Sequence, residues 1–259
     1  MPLVPTSEGR VEVRAFGAGA PVTVFAHGVG ASIDETRPLA SGVPGTRVFL
    51  HFRGHGRSDV GSTPWSYASL AGQLRAVADH AGATRAVGVS MGAAALLRLL
   101  ADTPDRFERA VFFLPAVLAA PRSDVGMDRM LRMADLVDAA DVDGLTDLLV
   151  REQPAGVREL PDLVAWVRAQ AERLAGTGVS GALRALPTQV PVTSAEEIGR
   201  IDLPCLVVGQ EGDAVHPAAV ARELAARLPR AELVVFDEGA ALWTARRRLR
   251  EVVAGFLGG

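Results

Sequence analysis

"RAVGVSMGAAALLRLLA", residues 85–101, sets a short apolar run, a serine flanked by glycines and an alanine- and leucine-rich stretch end to end. "RAVGV" reads as a strand buried on both faces, as a parallel sheet requires. "MGAAALLRLLA" reads as the helix that follows it. Ser90 therefore stands between strand and helix, with Gly88 and Gly92 two residues to either side, the arrangement of a nucleophile elbow. Such a turn forces the serine into a strained backbone conformation, and the glycines remove Cβ atoms that would meet the neighbouring chain. Ser90 would then project above the carboxyl end of the sheet, beside a helix amino terminus whose positive potential favours a developing oxyanion.

Outward from this point the pattern repeats. Apolar runs begin at Val22, Thr46, Arg109, Pro204 and Glu232, rich in Val, Phe and Ala. Between them lie segments of helical periodicity: Tyr67, Leu70, Leu74 and Val77, then Val220, Leu224 and Leu228, then Leu249, Val252, Val253 and Phe256. Alternating strand and helix predicts an α/β fold with a mostly parallel central sheet, right-handed crossovers and helices on both faces. "VEVRAFG" near the start adds one or two antiparallel edge strands. The alternation breaks between about Leu114 and Pro191, where "DRMLRMADLVDAADVDGLTDLLV" and "DLVAWVRAQAERLAG" read as helices separated by loops such as "REQPAGVRELP". The expected organisation is a core of residues 1–114 and 192–259 with a helical cap inserted over 115–191. Met127, Met130 and Met133 at helical spacing read first as cap core, as do Leu131 and Trp166, although Met130, Leu131 and Trp166 are also candidates for an apolar pocket wall.

Composition narrows the function. A chain of 259 residues, 49% hydrophobic and 22% charged, buries a sizeable core. With Lys+Arg 27 against Asp+Glu 30, it favours neither nucleic acid nor an anionic membrane as partner, and a small-molecule substrate is expected. Aromatic residues at 5% make a stacking platform for single strands implausible. The one cysteine, Cys205, lies in a strand-like run, rules out an internal disulfide and fits a cytoplasmic location. No signal-like start or membrane span is read, and no metal or organic cofactor motif. "GVSMG" has neither the spacing of a dinucleotide loop nor a phosphate-loop lysine. The apolar cap leaves a homodimer open.

Three further stretches, together with "GVSMG", resemble one family in order and spacing. "FAHGVGAS" from Phe25 resembles the His-Gly oxyanion loop of α/β-hydrolases, "LHFRGHGRSD" from Leu50 their Arg-Gly-His-Gly-Arg-Ser segment, and "LVVGQEGDAVHP" from Leu206 the penultimate-strand motif that carries an aspartate. The resemblance covers nearly the whole chain and implies an α/β-hydrolase fold with a helical cap. It also implies Ser90 as nucleophile, Asp213 as triad acid, and the backbone N–H groups of Val29 and Met91 as oxyanion hole. By the same resemblance His27 supports the oxyanion loop and His55 makes a structural hydrogen bond. His51 stands where the family commonly has an acid, and so is a second-choice pocket residue. His80 closes a surface helix.

One element of the pattern is missing. A serine hydroxyl needs a base, and the acid only orients that base. The family places a histidine after the last strand, yet "VVFDEGAALWTARRRLREVVAGFL" has Gly239, Ala240, Ala241 and Leu242 where Gly-His is expected. Three explanations stand. The histidine has been replaced, by engineering or divergence, with Ala241 or Ala240 marking its place; or another base serves, His216 being nearest to Asp213 in sequence, though His216-Pro217 reads more plainly as a helix start; or the protein uses the pocket for binding or for cyclase or lyase chemistry. The leading expectation is a serine hydrolase of small apolar carboxylic esters, thioesters or lactones.

Overall fold

A computed structural model of the chain describes residues 2–122, 125–153, 155–237 and 240–259. Its strands are β1 (Leu3–Thr6), β2 (Gly9–Phe16), β3 (Val22–Ala26), β4 (Thr46–Leu50), β5 (Arg85–Val89), β6 (Arg109–Phe113), β7 (Cys205–Gln210) and β8 (Ala231–Phe236). They form one sheet in the order β1-β2-β4-β3-β5-β6-β7-β8. β1, β2 and β4 pair antiparallel, and every pair from β4 through β8 is parallel. The antiparallel edge is thus two strands. The helices are α1 (Ile33–Thr36), α2 (Tyr67–Ala81), α3 (Met91–Asp102), α4 (Val125–Asp138), α5 (Val142–Arg151), α6 (Pro161–Leu174), α7 (Val179–Ala185), α8 (Ala195–Gly199), α9 (Ala218–Arg227) and α10 (Arg246–Gly258).

The parallel strands are largely apolar at their centres because alternate residues serve two different cores. Val24, Val48, Ala86, Phe112 and Val207 point into one, with Leu70, Leu74, Leu96, Leu100 and Leu224 of α2, α3 and α9. Phe25, Phe49, Val87, Val111 and Val208 point into the other, with Leu249, Val253 and Leu257 of α10. Phe25 and Phe49 stack with centroids 4.8 Å apart. Burying each such ring contributes about 1.5–3 kcal/mol, so the sheet centre carries much of the stability. The expected helix-bearing α/β architecture is what the chain adopts.

The inserted segment forms its own apolar cluster from α4, α5, α6 and α7, including Ala134, Leu145, Val167 and Leu183. The long helical run from Asp128 to Val150 breaks in two, because Asp141 accepts a hydrogen bond from Gly144 N and caps α5, while Ala140 turns left-handed at φ 50°. A capping aspartate outcompeted helix continuation there. Two stretches read as plain connections also carry turns of helix: Ala155–Val157 as a 3-10 turn, and α8, started by a capping box between Ser194 and Glu197. No helix among the described residues is long and apolar enough to cross a membrane.

Candidate active site

β5 runs into α3 through Ser90, whose φ of 50° and ψ of −108° make it one of the few non-glycine residues with positive φ. Ser90 N donates to Phe113 O on β6, which locks the strained residue to the sheet. The flanking glycines are required by space. A Cβ on Gly88 would lie 2.5 Å from Gly92 O, and one on Gly92 would lie 2.3 Å from Ala26 O. Both obstacles are backbone and cannot swing away. Gly92→Ala is therefore expected to destabilise the fold by about 1–3 kcal/mol or more, measured as a lowered urea midpoint at unchanged slope; an unchanged midpoint would show that the elbow is not tightly packed.

The acid and an imidazole come from one loop, Glu211 to Pro217, between β7 and α9. Gly212 turns it at φ 69°. Asp213 Oδ1 accepts from Val215 N at 2.8 Å and His216 N at 2.9 Å, and this tight turn folds the side chain three residues on back over the carboxylate. His216 Nδ1 lies 3.0 Å from Asp213 Oδ2, and His216 Nε2 lies 2.9 Å from Ser90 Oγ. Burial works to raise the Asp213 pKa, but the hydrogen bond and charge of His216 and the two backbone N–H groups outweigh it, bringing the carboxyl down to about 2. Ser90, His216 and Asp213 are thus joined in one hydrogen-bonded line. Of the three explanations for the histidine missing after β8, the geometry fits the second: the imidazole at Ser90 comes from before α9. The local signal was an Asp-x-x-His spacing on one short loop. His216-Pro217 does start a helix, with Pro217 as the residue before α9, so the helix start and the contact with Ser90 coexist.

At the position where the family histidine was expected, Ala241 is buried in the apolar cluster under α10 and its N–H donates to Gln210 Oε1 at 3.2 Å. Glu238 and Gly239 lie outside the described residues, as does the side chain of Ala240. Val29 and Met91, whose N–H groups are the expected oxyanion donors, line the same cavity as Ser90, and neither N–H donates to a protein acceptor among the described residues.

Three buried histidines hold the loop after β3 from behind. His55 Nε2 accepts from Gly30 N at 2.9 Å, His51 Nε2 from Ile33 N at 2.9 Å, and His27 Nε2 from Phe52 N at 3.0 Å. A ring nitrogen facing an N–H donor must be unprotonated, so each ring carries its hydrogen on Nδ1. These Nδ1–H groups donate to Arg53 O, Glu12 Oε2 and Gly28 O respectively. His51 therefore faces Glu12 and α1 and does not line the cavity. Burial holds the His27 pKa well below its ordinary value and that of His55 down to about 4. Folded His55 stays neutral while the unfolded chain protonates near pH 6.5. Stability is therefore full above that pH and falls as pH drops toward about 4, by about 3 kcal/mol from His55 alone. Asp213 adds to acid lability only below its unfolded pKa, outside this window. Urea titrations at stepped pH should show this slope, flattened in His55→Gln; a pH-independent midpoint between neutrality and pH 4.5 would sink the assignment.

Above Ser90 lies a cavity of about 770 Å³. Its cap wall includes Met130, Met133, Leu149 and Leu163, and Trp166 at its edge is 42% exposed. Met133 thus serves cap core and cavity wall at once, and Trp166 is not the cap-core residue first expected. Arg129 and Glu152 form an ion pair on this wall. Burial pushes the Glu152 carboxyl up, against the pull of Arg129 and the nearby His216.

The comparisons with known proteins agree with this fold. A family model described as alpha/beta hydrolase fold matches residues 21–242. No curated protein matches the chain. Among solved structures, the enol-lactonase from Burkholderia xenovorans LB400 covers all of both chains at 22% identity with a TM-score of 0.84. A thermophilic esterase from Thermogutta terrifontis aligns with 96% of this chain and 95% of its own at 18% identity, TM-score 0.79. Est816, an N-acyl homoserine lactone degrading enzyme, aligns with 98% of this chain and 100% of its own at 25% identity, TM-score 0.74.

Proposed function

The chain belongs to the α/β hydrolase fold family, and within it we propose a serine hydrolase of carboxylic esters, thioesters or lactones with a largely apolar body. The observation that carries this reading is the line from Ser90 Oγ through His216 to Asp213, with contacts of 2.9 and 3.0 Å. His216 Nδ1–H donates to the Asp213 carboxylate, which leaves Nε2 free to accept the Ser90 proton as Oγ attacks the carbonyl carbon. The resulting oxyanion meets the N–H groups of Val29 and Met91, two fixed donors of the kind whose individual removal costs about 2.7–4 kcal/mol. His216 then protonates the leaving alcohol, thiol or ring oxygen. An acyl-Ser90 remains, and water activated by the same imidazole releases the acid.

Support comes also from the enol-lactonase, esterase and lactone-degrading activities named for its structural neighbours. The non-hydrolytic alternative required a site with nothing basic near Ser90, and an imidazole at 2.9 Å weighs against it. A fluorophosphonate probe with intact-mass detection tests the proposal. Rapid stoichiometric labelling of the unmodified chain, lost in Ser90→Ala, is the expected result; absence of labelling would end the hydrolase reading.

A further inference from the structure

Part of the cavity wall is built by α1, the turn Arg37–Ala40 and α10, which pack on one another. This wall carries charged side chains, as does the wall from the inserted helices with its Arg129–Glu152 pair. Its two acids are already held: Asp34 lies 3.5 Å from Arg14 and 3.7 Å from Arg37, and Glu35 lies 2.8 Å from Arg173. Of the arginines lining the cavity, Arg129 is paired with Glu152, Arg246 donates to Leu242 O, and Arg122 is also partnered. Arg250, one turn beyond Arg246 on α10, lines the cavity half-buried and has no ion pair, hydrogen bond or ring partner among the described residues.

A guanidinium partly withdrawn from water without a counterion is destabilising unless something else supplies the charge. Its planar fork matches a carboxylate in two parallel hydrogen bonds. Among the described residues, neither acid of this wall is free for that role, since Asp34 is shared between two arginines and Glu35 is occupied. We infer that Arg250 is an anion-binding residue of this site and that the preferred substrate carries a carboxylate at the far end of its acyl chain. The inference deepens the proposed ester chemistry and rests on it for the reaction, while the binding stands on Arg250 alone.

Calorimetry on Ser90→Ala separates the two. The probes are the monomethyl esters of succinic, adipic and suberic acids, each beside its dimethyl ester. At least one monoester is expected to bind about tenfold more tightly than its diester, as one charge-assisted pair confers. In Ser90→Ala/Arg250→Met that ratio should fall to about one, and Arg250→Lys should keep part of it. Equal binding of mono- and diester, a ratio that survives Arg250→Met, or loss of affinity for both esters alike would each overturn the assignment. Fluorophosphonate labelling judges the hydrolase reading separately: labelling without carboxylate preference removes Arg250's role, and carboxylate preference without labelling leaves it standing without the reaction.

Discussion

Alanine in place of His216 is expected to lower kcat for an activated acyl ester by about 10⁶-fold, the loss seen when the base of a serine-protease triad is removed. That corresponds to about 8 kcal/mol of barrier. Among the described residues no other imidazole is placed to take the proton: His27, His51 and His55 are each closed off by an N–H at Nε2 and an acceptor at Nδ1. The residual rate should still exceed that in water by about 10³–10⁴, from the oxyanion donors and binding. The fold should survive, because the Asp213 turn is made by backbone N–H groups that alanine retains. Steady-state kinetics with a p-nitrophenyl ester, beside circular dichroism, reads both. Activity within tenfold of the parent would move the base elsewhere.

Asp213→Asn should cost about 10⁴-fold in kcat with little change in shape. The carboxylate has two tasks on its two oxygens. Oδ1 accepts from Val215 N and His216 N, and Oδ2 accepts from His216 Nδ1–H. An asparagine that keeps its carbonyl on the backbone donors must point its NH₂ at Nδ1. The imidazole then carries its hydrogen on Nε2 and can no longer accept from Ser90. Flipping the amide would instead set NH₂ against two N–H donors. With its pKa drawn down to about 2, the Asp213 carboxyl is ionised throughout any practical assay. No loss of activity above pH 4 should therefore come from its protonation. A variant with near-parental kcat would show that the imidazole is oriented by something other than Asp213.

Much of this was legible along the chain because its determinants are local. A strand buried on both faces is apolar along its buried centre, and β3 through β7 announce themselves that way. Gly88 and Gly92 are legible for a similar reason: the turn at Ser90 leaves no room for a Cβ within a few residues of itself. Helix breaks were less legible. Asp141 sits inside a run that is periodic on both sides, and its capping bond decides the break only once Gly144 is in place.

The site divides along the same line. Sequence alone determined the α/β architecture, and Ser90 and Asp213 as the residues to ask about, because strand, turn and helix signals are written within a dozen residues. Only the tertiary structure decided what stands beside Ser90. His216 is 126 residues away in the chain, and its reach depends on the Asp213 turn, the placement of β7 beside β6, and the elbow raised on β5. A hydrogen bond is a matter of tenths of an ångström and of direction, and neither is set until the sheet has brought those two loops to the same edge.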